Sequence, residues 1–249
     1  LQTIAEALRR AQAGDVIVVR GGTYTDASWQ STATIDKAGT PSRWITLRGY
    51  PNERAVLRPG RDAWTGIRVN HTAAYVEIRG LVVRGNAADI TLTEAQANKD
   101  KAIAYYNSGG ISVDARRSVA DNSLPAPLDR RAHHIRIVDN EVYENSGGGI
   151  TSLEADYITI ANNRVYDNCW WTRYATSGIS IFHAWNLHPV TDNYRMFVIG
   201  NKTTGNRTFI PWGLIGEISD GNGIIIDDFI NSQESSTIRY QLYAGRTLV

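Results

Sequence analysis

Apolar residues recur in short alternating runs along almost the whole chain, separated by Gly- and Asn-rich turns. The opening is the exception: Ile4, Ala5, Leu8 and Ala11 have helical spacing, and Gly14 stops the pattern. Val16 to Val19 then reads as a buried strand. No later segment outside the insertions has a convincing helical period. Strand starts can be aligned at Ile17, Ile45, Val76, Ile135, Ile158 and Met196, and Ile135 and Ile158 stand 23 residues apart. A fixed coil with loops inserted at its turns predicts a solenoid of parallel strands.

Five residues after three of these starts come Asn140, Asn163 and Asn201, and five further on Asn145, Asn168 and Asn206. Columns of Asn can hydrogen-bond from coil to coil at strand spacing, and Asn also tolerates left-handed turns. These positions are expected to be scaffold. A further strand in each coil carries Ile111, Ile150, Ile179 and Ile224 inward, and Ser112, Thr151, Ser180 and Ile225 outward. Long insertions flank that strand on both sides, from Cys169 to Ser177, Arg207 to Asn222, Ala115 to His134 and His183 to Arg195. They predict a trough along one sheet.

The helix followed by GDVIVVRGGTY, and coils such as ITIANNRVYDN, resemble the right-handed parallel β-helix proteins of the pectate-lyase type. The resemblance covers nearly the whole chain. It implies an all-β fold, a right-handed parallel β-helix with a short N-terminal capping helix and long loops on one groove. It also implies a polysaccharide lying in that groove, often with calcium, and a secreted or periplasmic location. Departures from individual branches are plain: the Asp-Pro-His-Glu of mannuronan epimerases is absent, and of the polygalacturonase motifs only Asp227-Asp228 answers, in a different context.

Composition narrows the reading. The chain has 249 residues, 42% hydrophobic, with no linker, which predicts one domain over 1–249. Twenty-six Lys and Arg against 25 Asp and Glu give a net charge of +1 without a basic run, which argues against nucleic acid as a partner. No apolar stretch is long enough for a membrane span, and Cys169 is the lone cysteine. Arg246 to Val249 reads as the start of another strand, so further coils or another chain are expected to cover that end.

The ends of the trough strands offer candidate chemistry. Glu154, Asp220, Asp227 and Asp228 are hard oxygen ligands on adjacent coils and are the candidate calcium set; the alternative is that they cap turns. Eliminative cleavage of a uronate polymer needs a neutralised carboxylate and a base. His183, Arg173 and Lys202 are the candidates, each with a structural alternative in the core or in solvent. Trp170, Trp171, Tyr174 and Trp185 offer flat faces for sugar rings, or pack the loops. The expectation is a calcium-assisted polysaccharide lyase. A glycoside hydrolase using paired carboxylates and a non-catalytic glycan-binding β-helix are the alternatives.

Overall fold

The computed structural model describes residues 3–25, 31–117, 131–189 and 193–249. Parts of two expected insertions, 118–130 and 190–192, lie outside the described residues. Each of six coils contributes one strand to each of three parallel sheets, and a last strand adds to the first sheet alone. The first sheet runs through Val16–Val19, Ile45–Gly49, Ala74–Arg79, His133–Val138, Asp156–Ala161, Tyr194–Ile199 and Arg246–Leu248. The second holds three-residue strands from Gly22–Tyr24 to Lys202–Thr204. The third, which carries the trough, stacks Ser31–Ile35, Thr65–Asn70, Gly109–Asp114, Ile150–Leu153, Ile179–Phe182 and Ile224–Asp227.

Register follows the apolar stacks. Ile45, Val76, Ile135, Ile158 and Met196 pair in sequence and are all fully buried. Val16–Val19 departs from the aligned template: Ile17 pairs with Leu47 rather than Ile45. The slip is by two residues, so it keeps every side chain on its expected face. One core runs from Ile4 to Tyr243. The helix Ile4–Arg10 closes its first end, with the Thr3 hydroxyl accepting from Glu6 N at 3.1 Å and Ile4 and Leu8 turned inward.

Both Asn columns are bonded as ladders. Asn140 N and Nδ2 donate to Asn163 Oδ1 at 2.9 and 3.1 Å, and Asn163 donates likewise to Asn201 at 3.0 and 2.9 Å. Asn145, Asn168 and Asn206 repeat the arrangement. The left-handed residue is the one before each ladder Asn, at Asp139, Asn162 and Gly200 in the first column. The ladder Asn therefore serves through its amide rather than through its backbone freedom.

A third column lies at the second residue of first-sheet strands. Tyr75, His134 and Tyr157 all have φ near +53°, and their rings stack at 4.6 and 4.2 Å. His133 Nδ1 sits 2.8 Å from His134 Nδ1. Burial, then the neighbouring His133, His188 and Arg136, pushes His134 down to about 4. A histidine depressed in the folded state binds fewer protons than it does unfolded, so stability is full above about pH 6.5 and is lost as pH falls toward 4. Melting temperature is expected to drop across that window, and more shallowly in His134→Gln; an equally steep drop in the variant would remove His134 from the account.

Candidate functional site

Outward residues of the third sheet form two rows. One runs Arg68, Ser112, Thr151, Ser180, Ile225; the other runs Asn70, Asp114, Leu153, Phe182, Asp227. From Ser112 and Leu153 onward they floor a trough of about 570 Å³, walled by the 172–176 loop, Trp212, Ser219 and Asp220 on one side and by Gln233 and Ser235 on the other. A Cβ on Gly149 would meet Gly178 O and Val165 Cγ1 at 2.5 Å, so the strand start accepts only glycine without shifting its neighbours.

Among the described residues, Arg116 is the cation that lines the trough. Its Nε and Nη2 donate to the two carboxylate oxygens of Asp114 at 2.9 and 3.0 Å, and Arg68 Nη2 reaches the same carboxylate at 3.2 Å. Burial pushes the Asp114 carboxyl up, but Arg116 and then Arg68 outweigh it and hold it below its usual range. Two guanidinium groups on one carboxylate leave a net positive end. The Arg116 side chain is 41% exposed and faces the trough.

Across the trough stand Tyr174, 42% exposed, and Trp64, with ring centroids 6.5 Å apart. Trp212 lines the same wall. Further along, Asp220 and Asp227 share one end. Burial, then the charge of Asp227, pushes Asp220 up. Gln233 Nε2 donates to Asp227 at 3.3 Å.

Of the residues singled out from sequence, Tyr174, Asp220 and Asp227 lie in the trough, and the others do not. Glu154 is fully buried in an ion pair with Arg131, and both Thr237 N and Thr237 Oγ1 donate to it. Asp228 caps a turn, accepting from Ser232 N, Ser232 Oγ and Gln233 N at 2.8 to 2.9 Å. His183 is 1% exposed, stacked on Phe182 at 3.6 Å with Nε2 2.9 Å from Asp228 Oδ2. Burial pushes it down against the pull of Asp228, so it sits neutral and shut off from the trough. All three have φ between +49° and +54°. A left-handed residue at a strand end breaks the alternation that would have sent these side chains outward.

Arg173 acts as a clamp between loops, donating to Asp100 O while its backbone joins Asn107 and Gly213. Lys202 lies on the second sheet opposite Arg164, on another face of the solenoid. Trp170 and Trp171 pack with Phe209, Tyr105 and Tyr106 in a satellite core, where Trp171 Nε1 donates to Ala87 O at 2.8 Å. Trp185 is buried outside the trough.

The carboxylates do not fit a calcium site. Two of the four are committed elsewhere, and among the described residues no three His, Cys, Asp or Glu groups could hold a metal ion together. Arg116 and Trp64 were not singled out from sequence. The signal was present for both: Trp64 directly precedes a trough strand, and Arg116 lies two residues past Asp114.

The chain is similar to several known proteins. The chain is 28% identical over 127 residues to YwoF of Bacillus subtilis (strain 168), a match spanning 49% of this chain but only 24% of that protein. An alginate lyase from Paenibacillus sp. str. FPU-7 is similar at 17% identity and a TM-score of 0.42, over 82% of this chain and 72% of that one. Pectate lyase Pel9A is similar at 13% identity and a TM-score of 0.30, over 92% and 74%. Both neighbours are polysaccharide lyases. Among the described residues no helix is long and apolar enough to cross a membrane. Residues 1–169 match the model of the Pel9A-like right-handed β-helix region, and the chain belongs to that family.

Proposed function

We propose that this chain binds an acidic polysaccharide along the third-sheet trough and cleaves it by β-elimination, outside the cytoplasm where such polymers occur. The carrying observation is Arg116, a guanidinium held in place by Asp114 and presented to a hydroxyl-lined floor. Paired with a uronate carboxylate, it withdraws charge and acidifies the C5 proton. The C5–H electrons then form the C4=C5 double bond and the C4–O bond breaks. Tyr174, the exposed phenol on the opposite wall, is assigned to both proton transfers: its oxygen takes the C5 proton as its own hydroxyl proton passes to the leaving O4. No step is routed through calcium.

A second reading rests on Asp220 and Asp227. A carboxyl with a raised pKa beside another carboxylate is the pattern of acid and base in glycoside hydrolysis. One experiment separates the two. Incubation with uronate polymers should produce the ultraviolet absorbance of an unsaturated uronate together with new reducing ends. Reducing ends without absorbance would select hydrolysis, and binding without either would select a glycan-binding protein.

A further inference from the structure

The trough is electrically lopsided. At one end Arg116 lines it, held by Asp114, which also pairs with Arg68 behind the lining, and at the other end Asp220 and Asp227 line it. Asp114 and Asp227 belong to one row, with Leu153 and Phe182 between them. Three strand steps of about 4.8 Å separate their strands, roughly 14 Å in all. A saccharide lying along the row therefore meets a cationic end, an apolar middle and an anionic end. Among the described residues no Lys lines the trough, and none forms a metal cluster with Asp220 and Asp227.

Resting on the reading of this trough as a polysaccharide site, we infer that it selects a heteropolysaccharide in which uronic acid residues are spaced by neutral sugars. A uronate seats at Arg116, and a neutral sugar lies over Phe182 and between Trp212 and Asp227. A homopolymer of uronic acid carries a carboxylate on every ring, so one would face Asp220 and Asp227 wherever another reaches Arg116. Like charges held together in a partly dry groove are a strong repulsive element against that ligand. Toward neutral sugars the same carboxylates are hydrogen-bond acceptors for ring hydroxyls.

The test is binding rather than turnover, so it does not depend on the elimination chemistry. Two probes of equal length are titrated into the full chain by calorimetry: an oligosaccharide alternating uronic acid with neutral hexose, and a homo-oligouronate. The alternating probe is expected to bind at least about 10-fold more tightly. The double variant Asp220→Asn, Asp227→Asn should shrink that preference to within about 3-fold by strengthening the homo-oligouronate. If that variant does not fold, the wild-type preference must narrow as salt rises, since it rests on repulsion between charges. Equal binding of the probes, or a preference that survives both the variant and high salt, overturns the inference while leaving the trough a polysaccharide site. Tight homo-oligouronate binding that appears only with added calcium overturns it in favour of a bridging cation. Binding of neither probe overturns the polysaccharide site and the inference together.

Discussion

Arg116→Ala is expected to lower both kcat and kcat/KM for uronate cleavage by about 100- to 1000-fold, the usual loss when one preorganised charge-stabilising donor is removed. The loss in kcat is the diagnostic, with some further loss in kcat/KM from the weakened seat for the uronate. The guanidinium gains most as charge develops on the uronate during C5 deprotonation, so most of its effect belongs to the transition state. Arg116→Lys should recover only part of the rate, because a lysine ammonium cannot hold Asp114 and the substrate carboxylate through one planar fork. Folding should survive, since the side chain is 41% exposed and Asp114 keeps Arg68. Initial rates at saturating and limiting polymer, followed by product absorbance, check this. A rise in KM with kcat unchanged would reduce Arg116 to a binding contact and leave the chemistry to other groups.

Glu154→Ala carries the largest expected effect on stability. The substitution removes the buried carboxylate that pairs with Arg131, whose side chain is 2% exposed, and it strips Thr237 N of its acceptor. Breaking a buried pair from one side costs about 3–5 kcal/mol. In a chain of this size that lowers the melting temperature by roughly 6–20 °C. The loss should be the same with calcium or with chelator, because Glu154 acts through Arg131 and not through a metal. A wild-type melting temperature that falls on chelation, by as much as the variant's does, would restore the metal-ligand role expected from sequence.

The contrast between these two residues shows where sequence was informative. The coil, the Asn ladders and the long-loop side of the third sheet were legible because each rests on a repeated local rule: alternation, amide stacking, or loop length. Glu154, His183 and Asp228 were misplaced because each sits one residue past the end of alternation, in a left-handed corner that turns the side chain out of the trough. Trp170 and Trp171 were misplaced for another reason. The insertion containing Leu92–Ala97 and Ala104–Asn107 supplies Ala95 and Tyr106, and Ala87 and Ile90 just before it join them in a small core that no periodicity announces. Arg116 escaped although Asp114 stands two residues before it, because the net charge of the group depends on Arg68, a partner from the neighbouring coil.

The ladders carry a consequence for how such a molecule changes its reach. Asn140 to Asn163, and Asn145 to Asn168, repeat at the same offset of 23 residues, so the compact coil begins and ends on equivalent bonds. A tandem duplication of one such coil would offer each new amide a partner above and below, and would introduce no unpaired polar group into the core. The groove would lengthen by one rung of the sheet, and a chain built this way can be extended in whole steps while its ends and its walls stay as they are.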